Sequence, residues 1–317
     1  MTALINMTAH PCEQVVARDR GRAVRRIACR ARWKLDGTVP VDGQAQTLTL
    51  CDRFSSQGQL LEASDLGPRR AGTTVLVTGR IVSSHPERTE GVQATVRVAG
   101  ASFEALAYPP RVWVANGTGF EARPTGWFEP VAPSFTAAFG GPDLDANPVG
   151  LGALSEGQRP DGQRLPRVEA PEAPLLNPFE RPAPRAIGLI APGWSPRRQL
   201  AGTYDERWLR TRAPELPDDA SARFFDPGSF VVEPKLRGGE AVNVRNFEVP
   251  GLRSFVVPRV LIRFILDRRS TRPEVDELHI DLERGTLELL LRAELPWNGV
   301  GAEPVFVREL GLARKAS

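Results

Sequence analysis

Lysine is almost missing from this chain. Of 41 basic residues in 317, only Lys34, Lys235 and Lys315 are lysines. The net charge is just +3, too small a surplus to steer a polyanion. The densest basic run, residues 18–34, carries eight basic residues against one acid. No aromatic ladder accompanies it for bases to stack on, so a solvated strand face is expected and no nucleic-acid partner. Histidine and cysteine are equally scarce. His10, His85 and His279 lie far apart, and Cys12, Cys29 and Cys51 show no CxxC spacing, so no metal site is expected. No apolar run approaches the roughly eighteen residues of a membrane span. The opening MTALINMTAHPCEQ has no basic leader, apolar stretch or cleavage site. A cytoplasmic protein without a membrane partner is the expectation.

Catalytic and cofactor motifs are missing as well. There is no GxxxxGK[ST] and no GxSxG, and GLGALSEG at 150–157 lacks the third glycine at dinucleotide spacing. Neither a phosphate cradle nor an activated serine follows. The acidic pairs Asp143/Asp145 and Asp218/Asp219 sit beside glycine, asparagine and proline, where acids serve turns and helix caps. DLDAN at 143–147 lacks the glutamate of a calcium loop. No catalytic residue, cofactor site or metal ligand is assigned.

What is present is β-structure at both ends. In RIACRARWKL, Ile27, Cys29, Ala31, Trp33 and Leu35 alternate with Ala28, Arg30, Arg32 and Lys34, a period of two with the apolar set facing inward. Cys29 therefore reads as a small core residue. Residues 47–51 and 73–82 continue the β pattern. So do 92–98, with Val92, Ala94, Val96 and Val98 on one face, and then 101–108 and 111–116. Turn signals at 36–37 and 98–100 separate some of these strands. Near the C-terminus, residues 259–266 read as a buried strand. Residues 276–295 read as a hairpin in which Leu278, Ile280 and Leu282 share a core face with Leu287, Leu289 and Leu291. His279 falls on the hairpin's polar face and is expected to be solvated.

The middle is different. Residues 124–227 hold 17 of the 29 prolines, which remove backbone donors and interrupt ladders. Yet Phe128, Phe135, Phe139, Phe179, Trp194, Tyr204, Trp208, Phe224 and their neighbours need burial or a partner. The expected organisation is an N-terminal β-rich region over 1–123, a proline-rich, irregular but ordered region over 124–227, and a C-terminal β-rich region over 228–317, which can join the first in one domain. The fold class is mainly β, an antiparallel sandwich or barrel-like sheets with at most short helices. A short helix is expected around 204–214, ended by Pro214, with Thr203 or Asp205 as its cap. Tyr204 and Trp208, four apart, would share one face, which docks on the β core or, as the alternative, contacts a partner directly. Gly140 and Gly141 are expected to supply positive φ at a tight turn, with Asn147 before Pro148 extending the chain onward.

Ordered loops on a rigid sheet are where recognition sits, so the residues point to a binding or adaptor protein. The alternative is an enzyme acting on a carbohydrate or peptide in an inter-sheet cleft, with Asp205, Asp218 and Asp219 as its first carboxylates.

Four blocks carry a resemblance. FTAAFGGPDLDANPVGLG (135–152) resembles the AFGG…NP.G.G signature of the bacterial family called domain of unknown function 2169. LGPRRAGTTVLVTGRI (66–81), PPRVWV (109–114) and APGWSPRRQLAGTYDERWLRTRAPELPDD (191–219) resemble its other blocks in the same order. The resemblance implies a role in type VI secretion. Members are thought to be cytoplasmic adaptors or chaperones that load a toxin effector, often one with a PAAR tip domain, onto the spike. The implied partners are a secreted effector and a PAAR or spike protein. The motif residues Phe139, Gly140, Gly141, Asn147, Pro148, Gly150, Trp194, Gly202, Thr203, Tyr204, Asp205 and Trp208 become the candidate partner-binding or loop-shaping positions.

Overall fold

Alternation dictates two large sheets that share one core. The computed structural model describes residues 4–19, 22–35, 47–88, 90–213, 216–266, 269–297 and 304–309. The six-stranded sheet runs, in spatial order, Val231–Val232, Thr73–Thr78, Glu274–Asp281, Thr286–Pro296, Arg22–Lys34, Cys12–Asp19. Its ladders are antiparallel except between Thr73–Thr78 and Glu274–Asp281. The five-stranded sheet runs Val168–Glu169, Ala101–Ala107, Val92–Val98, Ala241–Phe247, Val249–Val256. Strands from both ends of the chain therefore lie side by side, as in the pairing of Leu289 with Ala31. A smaller four-stranded sheet joins Leu4–Asn6, Val305–Glu309, Ile262–Leu266 and Arg269–Thr271. The fold is mainly β, and the described strands form no closed barrel.

The main core is built from the inward faces. Ile27, Cys29, Ala31, Leu278, Ile280, Leu287, Leu289 and Leu291 come from the first sheet; Ala94, Val96, Val98, Phe103, Val242 and Val244 come from the second. Ile262, Phe264, Val305 and Val307 extend it. Burying a side chain of this size contributes about 1.5–3 kcal/mol. Cys29 stands directly across the ladder from Cys12. Contact with that thiol, then burial, pushes the Cys29 thiol well up, as befits an inert core position.

Three local expectations need correction. Residues 47–50 form no strand. Leu48 instead packs on Ala28 and Leu290, and Thr49 donates its N–H to Asp65 at 2.9 Å, so the segment covers the outer face of the six-stranded sheet as a loop. The strand expected over 259–266 begins only at Ile262. The basic residues of Arg22–Lys34 are solvated only at its ends, at Arg22 and Lys34: Arg25 and Arg26 are buried and Arg30 and Arg32 half-buried. The turn at 36–37 and Pro214 lie outside the described residues.

Candidate functional site

The 134–152 segment closes on one side chain. Asn147 is wholly buried. Its Nδ2 donates to the carbonyls of Phe135 at 2.7 Å and Phe139 at 2.9 Å. Its own carbonyl accepts from the N–H groups of Gly141 at 3.0 Å and Gly150 at 3.3 Å. A β-carbon on Gly140 would lie 2.3 Å from the Asn147 carbonyl oxygen, and one on Gly150 would lie 2.3 Å from Asn147 Nδ2. These glycines are required for close approach. Positive φ is not the reason: neither Gly140 nor Gly141 adopts it, because Phe139–Gly140 is held extended by a parallel pairing with Leu151–Gly152. Pro148 follows, half-buried, where the chain turns back.

Aromatic anchors fix this loop to the body. Phe139 is buried with Trp113, Leu165 and Leu175. Phe135 meets Trp194 edge-on at 5.2 Å, which brings the 191–201 block into the same structure. Asp145 completes the junction, accepting from Ser195 N at 2.9 Å and from Arg198 Nη2 at 2.6 Å. Arg197 is buried behind it and donates to the carbonyls of Ile190 and Phe224 at 2.7 and 3.0 Å. Burial without a paired carboxylate pushes its guanidinium down to about 10.

From Gly202 the chain leaves the body. Gly202 has φ +85°, and a β-carbon there would meet Asp219 Oδ1 at 2.6 Å. Thr203 donates its N–H and its hydroxyl to the Asp219 carboxylate at 3.0 and 2.8 Å, and those bonds hold that carboxyl below its usual range. Asp205 caps the Glu206–Thr211 helix by accepting from Trp208 N at 2.7 Å. Arg212 pairs with Asp218 at 3.1 Å. Tyr204 and Trp208 do share a face, their rings edge-on at 4.8 Å, but that face does not dock on the β core. No residue of the helix is buried, and Tyr204 and Leu209 are 52% and 65% exposed. The helix is one and a half turns long and is tied to the 217–219 loop instead of to a sheet. A cleft of about 340 Å³ opens between helix and loop, lined by Thr203, Trp208, Arg212 and Asp219 among others.

The motif residues thus divide. Phe139, Gly140, Gly141, Asn147, Pro148, Gly150 and Trp194 build one ordered loop assembly. Gly202 is its exit, and Thr203, Tyr204, Asp205 and Trp208 form a pinned protrusion.

Sequence reasoning missed a third feature, an ionic layer on the outer face of the six-stranded sheet. Arg30 donates to Asp65 at 2.6 and 2.8 Å and to Glu277 at 3.3 Å. Arg70 reaches Glu277 at 3.1 Å. Arg292 donates to Asp276 and to the carbonyls of Asp65, Gly67 and Pro68. Lys235 bonds Glu274 and Asp276 at 2.7 and 2.6 Å. Burial alone would raise the Glu277 carboxyl, but Arg30 and Arg70 overcome it and bring the group down to about 2. The His279 ring, half-buried, hydrogen-bonds Thr78 at 2.8 Å, so it is part of this covered face and not fully solvated. The arginines along strand 22–34 and the acids along strand 274–281 were the available signal.

The model of one protein family matches residues 20–292, which is most of the chain. The chain belongs to the family described as uncharacterized protein conserved in bacteria, DUF2169. No curated protein and no solved structure matches it. Among the described residues, no helix of this DUF2169 member is long and apolar enough to cross a membrane.

Proposed function

We propose that this DUF2169 chain is a cytoplasmic type VI secretion adaptor or chaperone that binds a toxin effector, of PAAR type or similar, and helps load it onto the spike. One observation supports this reading most. The 203–212 protrusion is fixed at both ends by Asp205, Asp219 and Asp218, yet leaves Tyr204 and Leu209 exposed. Exposed aromatic and aliphatic groups held in a set geometry are what a recognition hot spot needs, since little ordering entropy remains to be lost on binding. The carboxylates that an enzymatic reading would use are otherwise engaged. Asp205 is a helix cap, Asp218 is paired with Arg212, and Asp219 clips Thr203. Deleting the gene in a strain with an active secretion system is expected to abolish export of one effector while the apparatus keeps firing. Unchanged export of every effector overturns the proposal.

A further inference from the structure

The strand Val249–Val256 is the outer edge of the five-stranded sheet, with Ala241–Phe247 as its single neighbour. Its ladder reveals which backbone groups face outward. Val257 N–H donates to the Glu240 carbonyl at 2.9 Å, and in an antiparallel ladder bonded and non-bonded pairs alternate. The pairs Phe255–Val242 and Arg253–Val244 are therefore the bonded ones. Leu252, Ser254 and Val256 turn their N–H and C=O groups away from the sheet. Their side chains lie on the solvent face, where Leu252 is 66% and Val256 56% exposed.

Natural sheets blunt such an edge with lysine, inward charge or a covering segment. Pro250 and the bulge between Arg245 and Phe247 blunt only the start of this edge; from Leu252 to Val256 it has no lysine and, among the described residues, no neighbour on its far side. It is also held rigid at its start. Asn246 and Glu248 both adopt positive φ, +59° and +56°, which costs about 1–3 kcal/mol each in a non-glycine residue. Asn246 Oδ1 accepts from Gly251 N at 2.8 Å, and Nδ2 donates to the Gln93 carbonyl at 2.8 Å.

The charge on this edge is of one sign. Among the described residues, Arg253, the charged residue of the strand, has no carboxylate within ion-pair distance, and neither has Arg245, which stands across the ladder from Leu252 and so on the other face from Arg253. The nearby acids are taken: Glu248 accepts from Arg80 N at 2.6 Å, and Glu104 pairs with Arg97 at 3.2 Å. A second copy of the same edge would bring more arginine and no free carboxylate. We infer that this edge receives an extended strand from a protein partner by β-sheet addition. That strand carries apolar residues on the face of Leu252 and Val256 and acidic residues on the alternate face beside Arg253. Main-chain hydrogen bonds supply the affinity and the alternating side chains supply the selectivity. The site is separate from the aromatic protrusion, so strand binding and effector export can fail independently.

The probe is a fluorescein-labelled eight-residue peptide alternating valine and glutamate, titrated into the full chain and followed by anisotropy. Saturable binding is expected, with slowed amide exchange at Leu252, Ser254 and Val256. The same peptide with lysine for glutamate should bind at least about tenfold more weakly. Ser254→Pro removes the central outward N–H but leaves the bonded pairs intact. It should weaken the valine–glutamate peptide by about tenfold or more; losing the Ser254 hydroxyl bond to Asn243 Oδ1 lowers the melting midpoint, but the chain stays folded at the assay temperature by circular dichroism. Leu252→Glu, which keeps every backbone group, should give a loss in the same direction by setting a carboxylate against the peptide's valine face. Absence of binding, equal binding of the lysine peptide, or undiminished binding to both variants overturns the inference. A peptide-free dimer that Ser254→Pro disperses also overturns it, in favour of a second copy as occupant.

Discussion

Asn147 is the residue on which the motif loop depends, and its loss has a calculable cost. Asn147→Ala removes two donated hydrogen bonds, to Phe135 O and Phe139 O. A net bond is worth about 0.5–1.5 kcal/mol, and a buried polar group left unsatisfied costs about 1–3 kcal/mol. For two carbonyls at a fully buried site, the expected loss is about 2–4 kcal/mol. Asn147→Asp is the sharper test. It sets a carboxylate oxygen against two carbonyl oxygens, so the folded state favours the protonated acid and its pKa rises above the unfolded value of about 3.9. The native state then binds the proton more tightly, and stability falls as pH rises through that range. Urea unfolding followed by tryptophan fluorescence and by far-ultraviolet circular dichroism measures both effects; Trp194, packed on Phe135, reports on the loop itself. An Asn147→Ala change below about 0.5 kcal/mol, the usual size for a surface substitution, would refute the reasoning. So would an Asn147→Asp protein that is more stable at pH 7 than at pH 5.

The ionic layer gives two further expectations. Asp276→Asn deprives the buried Arg292 and the half-buried Lys235 of their shared carboxylate, and breaking a buried pair costs about 3–5 kcal/mol, readable as a shift in the urea midpoint. Glu277 has its folded pKa, about 2, below its ordinary 4.5. Its stabilisation is therefore complete above pH 4.5 and is lost as pH falls toward 2. Glu277→Gln should flatten the acid limb of the stability profile in that window, and an unchanged limb counts against the pairing with Arg30 and Arg70. On the protrusion, Leu209→Glu should move the melting midpoint by less than about 0.5 kcal/mol equivalent and yet reduce partner capture. Full capture by that variant would remove the protrusion from the binding surface.

Much of the sheet content was legible because one-sided burial imposes a period of two. The Arg22–Lys34 strand and the Glu274–Pro296 hairpin follow from Ile27, Cys29 and Ala31 and from Leu278, Ile280, Leu287 and Leu289. The structure takes Asp205 as the helix cap; capping is local, so the cap was legible as Thr203 or Asp205. Strand order was not, since no local pattern pairs Leu289 with Ala31. For the same reason the arginine face was misread as solvated. Asp65, Glu277, Glu288 and Glu294, which neutralise it, are remote in sequence from Arg26, Arg30 and Arg32. Gly140 was assigned to a turn because sequence signals φ more readily than it signals the approach of Asn147. The Tyr204–Trp208 face was expected to dock because apolar spacing on a helix does not tell which surface it meets.

The most direct test of the adaptor reading is to purify the tagged full chain from a strain with an active type VI system and identify by mass everything that comes with it. The account predicts recovery of a PAAR-bearing toxin or a spike protein, with the Leu209→Glu chain recovering less of it from the same cells. A chain that comes down alone, from cells in which the effector and spike are expressed, contradicts the account.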